Sequence, residues 1–182
     1  TPSTTDGRHP AGPAGSRSGP EAAAASPSGA WTLLHTPGHA SDHLALWHAA
    51  DRTLVAGDMV AAEGTILIDP GDGHMGTYLT QLRRLRALRP AHVIPSHGHT
   101  LSGPAADTIF AHYLAHREAR ETRVLAALAS AGQDILDLTA RVWDDVPARL
   151  RPLAARSALA HLIKLEEEGR AVRGPDGRWA AA

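Results

Sequence analysis

The sequence contains no cysteine. Disulfides, thiolate metal sites and cysteine nucleophiles are excluded together. No stretch of eighteen apolar residues occurs, so no membrane-spanning helix is expected. The first residues lack an apolar h-region and do not read as a secretory signal. A soluble cytoplasmic protein is the expectation. Neither sign of charge dominates: 18 basic residues face 19 acidic ones, for a net charge of −1. That balance leaves no electrostatic footprint for nucleic acid at the level of the whole chain. Lysine is nearly missing too, since Lys164 is the single one among the 18 basic residues, and this bias says nothing about mechanism.

What the chain does have is histidine, twelve in 182 residues, and an apolar fraction of 43%, enough for a core. The length suits one medium domain or two small ones. Residues 1–29, "TPSTTDGRHPAGPAGSRSGPEAAAASPSG", are dominated by Pro, Gly, Ser, Thr and Ala. Such a segment buries too little apolar surface to offset its ordering entropy and reads as disordered or as a long loop.

From Trp31 the pattern changes. "WTLLHT", "HLALWHA" and "TLVAGD" read as three strands, separated by "PGHASD" and by a tight "DR" turn. Residues 61–76 form a glycine-rich connection with a short apolar run. Leu79, Leu82, Leu85 and Leu88 then recur at helical spacing, with arginines between them. "AHVIPSHGH" reads as a short buried strand opening into a loop. Strands alternating with helices predict an α/β layered domain over residues 30–110.

Beyond Pro104 the pattern is helical. A long helix is expected over about 104–130, a second over about 134–144 and a third over about 152–168. Gly169 is a helix stop. "RAVRGPDGRWA" reads as two short strands around a Gly-Pro-Asp-Gly turn. Three helices followed by a hairpin is the order of a winged helix, placed at 111–182 with the connecting helix included.

Three predicted strand ends lead into His39, Asp58 and His97. In a layered α/β fold, strand ends on one edge face one crevice. Imidazole and carboxylate together suit zinc, iron or manganese. Each residue alone reads as an ordinary turn or cap residue. The three in order, beside Gly38, Gly57 and Gly98, read equally well as a metal site.

"HTPGHASDH", "LVAGD" and "VIPSHGH" resemble the later metal-binding motifs of metallo-β-lactamase-fold hydrolases. The likeness continues through "EGT" at 63–65, "HREARE" at 116–121 and "AHLIKLEEEGRAV" at 160–172. That order is similar to the branch carrying a C-terminal winged helix, which includes endoribonuclease-like members. The resemblance implies an α/β fold, the C-terminal half of an αββα sandwich followed by a small winged-helix domain. It implies that His39 binds one metal, that Asp58 bridges two and that His97 binds the second. His43 falls beside the site, behind the ligands or at the substrate's edge. Zinc is the expected metal, in two ions, with iron or manganese suiting the same ligands.

The chain departs from the family in one large respect: it holds no His-x-His-x-Asp-His. "HGH" at 97–99 is its one His-x-His and is followed by Thr100, Leu101 and Ser102. Ser96 and His99 also stand where the family usually has Gly and Pro. The expectation is therefore a fragment, lacking the N-terminal half of the sandwich and inactive alone. In the complete protein a metal-bound hydroxide would attack an ester, a thioester or a phosphodiester. Expected partners are a small ester or thioester or single-stranded RNA as substrate, no membrane, and a second copy or a complementing N-terminal half. The alternative is a non-catalytic remnant whose winged helix serves binding or scaffolding. Glu63 and His74, in the glycine-rich connection, are expected to face substrate, and His116 and Arg117 to pack between the two halves.

Overall fold

The computed structural model describes residues 29–129 and 132–182. The expectation for residues 1–28 lies outside them. Five strands form one mixed sheet in chain order: β1 (Trp31–His35), β2 (Leu44–His48), β3 (Thr53–Gly57), β4 (His92–Pro95) and β5 (Leu101–Ser102). β1–β2, β2–β3 and β4–β5 pair antiparallel, while β3–β4 pair parallel. The parallel pair needs a crossover, and residues 58–91 supply it with helix α1 (Met75–Ala87). The leucine spacing built this helix. Leu79, Leu82 and Leu85 are buried along one face while Arg84 and Arg86 occupy its last turn.

Side chains alternate across the sheet with a period of two. Ala45, Leu54, Ala56 and Val93 point to one face and are fully buried beneath α1 and the long helix α2 (Pro104–Ala127). Among the described residues the opposite face is largely uncovered. Leu33, Leu46, Val55 and Ile94 are successive cross-strand partners in one row. Leu33 is 60% exposed, and Trp31, Leu44, Leu46 and Ile94 are exposed with it.

α2 leaves the first core through Phe110 and Leu114 and enters the second through Val124. The second core is closed by α3 (Ile135–Val142), α4 (Arg151–Glu167) and the hairpin β6 (Ala171–Arg173) and β7 (Trp179–Ala181). Asp134 caps α3 by accepting from the Leu136 N–H at 2.7 Å. Gly169, at φ 68°, ends α4 in the left-handed conformation that glycine adopts without strain. Gln133 exchanges two backbone hydrogen bonds with Trp179, an isolated antiparallel bridge that ties the start of α3 to the wing. Among the described residues no helix is long and apolar enough to cross a membrane.

The two halves are tied by polar contacts. Arg156 pairs with Asp69 at 2.8 Å, and His74 Nε2 meets Glu167 at 2.8 Å. His74 also caps α1 by accepting from the Thr77 N–H at 3.1 Å. Its ring is thereby committed at both nitrogens, which corrects the expectation that it faces substrate: it is a cap and a tie to the winged helix. Glu63 remains exposed, 3.8 Å from His99. Arg117 is 3% exposed, donates to the Ile66 carbonyl and lies 5.7 Å from the Tyr78 ring centre.

Candidate metal centre

β1 runs antiparallel to β2, and β2 antiparallel to β3, so β1, β3 and β4 all end at the same sheet edge. His39, Asp58 and His97 follow those three ends. Asp58 lies between the two imidazoles. Its Oδ2 is 3.9 Å from His39 Nε2, and its Oδ1 is 3.2 Å from His97 Nε2. His39 Nδ1 lies 3.0 Å from the Leu67 carbonyl, which only accepts. The Nδ1 proton is therefore fixed there, and the Nε2 lone pair is left facing the carboxylate.

His43 works from behind. The Asp58 backbone N–H donates to His43 Nε2 at 3.1 Å, so that nitrogen carries no proton. Nδ1 then donates to Thr36 Oγ1 at 2.8 Å. Burial, reinforced by the neighbouring His39, holds His43 below the ordinary histidine range and keeps it neutral. The side chain thus anchors the backbone of Asp58 and does not aim at the space between the three donors. Gly57, at φ 54°, is required beside it, because a Cβ there would sit 2.7 Å from His43 Nε2.

The loop carrying His39 is seated just as tightly. A Cβ on Gly38 would lie 2.4 Å from Tyr78 Cα, and the Gly38 carbonyl accepts from the His74 N–H at 2.8 Å. Gly38→Ala is expected to cost more than about 2 kcal/mol, since strain of about 1 kcal/mol from an unfavourable φ adds to overpacking of about 1–3 kcal/mol. A urea midpoint equal to that of the parent protein would contradict this. The third loop docks through Gly98, where a Cβ would sit 2.8 Å from Ala62 Cβ. Below the site, Tyr78 donates to the Met59 carbonyl at 2.7 Å and Tyr113 accepts from the Ala61 N–H at 3.0 Å. Both hydroxyls pin the segment that follows Asp58. Nothing in the sequence marks these tyrosines, or Thr36, as parts of a site. Their sequence positions are remote or unremarkable, and their role depends on tertiary placement.

The donor chemistry fits a divalent cation. Asp58 Oδ1 is buried without a hydrogen bond, although His97 Nε2 stands 3.2 Å away. A buried acceptor without a donor costs about 1–3 kcal/mol, and a cation between carboxylate and imidazole removes that cost. The set is also divided. His39 and His97 face opposite oxygens of Asp58, and no three His, Asp or Glu side chains among the described residues enclose one metal position. Each of two ions would receive two protein ligands from this chain, where a catalytic zinc holds about three.

Residues 11–99 match the family model described as the metallo-beta-lactamase superfamily, and residues 135–179 match that of the beta-lactamase associated winged helix domain. This chain belongs to the metallo-β-lactamase superfamily. Members typically bind metal ions. The chain is 31% identical over 141 residues to the beta-lactamase-like protein 2 homolog of Caenorhabditis elegans, covering 75% of this chain and 45% of that one. It is 33% identical over 95 residues to the atrochrysone carboxyl ACP thioesterase AgnL7 of Paecilomyces divaricatus, covering 52% of this chain and 28% of that one. A crystal structure of a beta-lactamase domain protein from Burkholderia ambifaria superimposes with a TM-score of 0.72 at 30% identity, over 84% of this chain and 48% of its own. The chain therefore spans less than half the length of these relatives. Its architecture is the α/β half-sandwich of the superfamily followed by the winged helix.

Proposed function

We propose that this chain contributes half of the metal centre of a hydrolase acting on an ester, a thioester or a phosphodiester. The observation that carries the reading is the Asp58 carboxylate, buried at Oδ1 and flanked by the Nε2 atoms of His39 and His97. Bound divalent ions in such a pair lower the pKa of water and polarise the reacting oxygen. The chain's own residues hold the donors in place. Leu67 fixes the His39 tautomer, and His43 holds the Asp58 backbone.

The bare sheet face supports a complementing half. An apolar face of Trp31, Leu33, Leu44, Leu46 and Ile94 suits a second sheet packed about 10 Å away. That second sheet would bring further ligands to the edge where His39 and His97 wait with two donors per ion. A second copy of this chain would cover the face but add no new kind of ligand. Zinc is the preferred metal on donor type, and iron or manganese fits the same set.

The test is a metal titration of the longest reading frame that contains Thr1–Ala182, beside a titration of this chain alone. Tight uptake of two zinc ions by the longer protein, much weaker uptake by this chain and metal-dependent hydrolysis by the longer protein are expected. Hydrolysis that survives complete removal of metal would sink the reading. Full metal occupancy without turnover on any ester, thioester or phosphodiester would favour a binding or scaffolding role for the winged helix instead.

A further inference from the structure

A cavity of about 220 Å³ lies between the two halves of the molecule. Thr65 and Leu67 form one wall, and Trp143, Val146, Leu153 and Ser157 form much of the other. No charged side chain lines it. Leu67 belongs to two structures at once. Its carbonyl holds His39 Nδ1, and its residue lines the cavity. Candidate metal centre and cavity therefore share one backbone segment. The cavity also accounts for two leucines left exposed on the winged helix, Leu150 at 38% and Leu153 at 46%, since both line it.

We propose that this cavity seats the apolar acyl group of the substrate, which makes the neighbouring metal centre an esterase or thioesterase site. The proposal rests on the metal-site reading above and narrows it. An apolar cavity of about 150 Å³ is large enough for benzene, so this one takes a medium-length acyl chain. A phosphodiester backbone needs cations beside its phosphates, and the lining offers none. Arg156, next to the lining residue Ser157, is engaged by Asp69 at 2.8 Å. At the end of α4, Glu168 holds Lys164 and Arg170, at 2.7 and 3.2 Å. In this arrangement the winged helix is the far wall of a substrate pocket.

The experiment uses hexanoate, octanoate and decanoate as analogues of the acyl product, titrated calorimetrically into this chain in the presence of EDTA. Chelation separates the two ideas, because failure of the metal reading appears in the metal titration and leaves this binding untouched. Affinity should rise about fourfold per added methylene, the factor expected when each is buried. Leu153→Asp and Ser157→Phe, at positions exposed enough to be tolerated, should each weaken decanoate at least tenfold with unchanged circular dichroism. Leu33→Ser, on the bare sheet face, should change nothing. Affinity independent of chain length, binding indifferent to both cavity variants, or binding lost with Leu33→Ser overturns the proposal. A single-stranded RNA oligonucleotide whose binding is abolished by Leu153→Asp would also overturn it, in favour of a nucleic-acid surface.

Discussion

Asp58→Ala is expected to lower metal affinity by more than about 100-fold and, under the proposed function, to abolish metal-dependent hydrolysis. The size follows from position. Asp58 is, among the described residues, the one that faces both imidazoles, with its two oxygens 3.9 and 3.2 Å from their Nε2 atoms. Removing it leaves each ion a single imidazole from this chain. Residues that merely orient a metal ligand already cost about 10–100-fold when replaced, and a shared ligand costs more. Asp58→Asn sharpens the test, because it keeps the shape and removes the charge. The metal-free protein should tolerate it well, since Oδ1 has no hydrogen bond to lose. Metal content measured by mass spectrometry, together with thermal melts with and without zinc, reads both effects. Unchanged metal stoichiometry in Asp58→Ala would remove the aspartate from the site.

Glu121→Gln is expected to destabilise the protein by about 3 kcal/mol at neutral pH, through contacts remote from the metal centre. Glu121 lies on α2, with its side chain 13% exposed. Lys164 reaches it at 2.8 Å, Arg170 at 3.4 Å and His161 Nδ1 at 3.6 Å. Burial alone would raise this carboxyl. The contacts from His161 and Lys164 outweigh burial and hold it down, at about 2. Breaking a buried pair from one side costs about 3–5 kcal/mol where it strands the partner charge; Glu168 still holds Lys164 and Arg170, which keeps the cost at the low end of that range. The sign in pH follows from linkage. The folded pKa is below the unfolded one, so the stabilisation is complete above the ordinary carboxyl value of 4.5 and is lost as pH falls toward about 2. His161 acts in the same direction. Burial pushes it below its ordinary 6.5, so its titration is neutral to folding above that pH and penalises folding below it. Urea unfolding at several pH values should show the Glu121→Gln deficit shrinking with acid. A deficit constant from pH 7 to pH 3 would contradict this account.

The sequence made some of this legible because short-range chemistry decides it. The leucine spacing of α1, the stop at Gly169 and the Gly-Pro-Asp-Gly turn of the wing are local signals, and the structure follows them. His39, Asp58 and His97 were legible as a group because each follows a strand end, and strand direction brings those ends together. Long-range pairings were not legible. His74 in a glycine-rich connection reads as a residue facing substrate, and only the fold shows Glu167, 93 positions away, at its ring. In the apolar run 66–68, Ile66 and Ile68 are buried and Leu67 is half-buried, yet the run joins no strand. Its carbonyls are taken instead by side chains, Ile66 by Arg117 and Leu67 by His39. Neither pairing follows from the residues themselves, because side chains that reach across the fold leave no periodic trace. β5 leaves no sequence signal for a simpler reason, since two residues carry no alternation.

Helix α2 has a consequence for how the molecule comes apart. Its 24 residues extend about 36 Å. The first half of the helix is built into one core and the end into the other. Neither core can melt without stripping partners from a helix that the other core holds in register. Denaturation should proceed as one cooperative event, with calorimetric and van't Hoff enthalpies in agreement, although the chain reads as two modules.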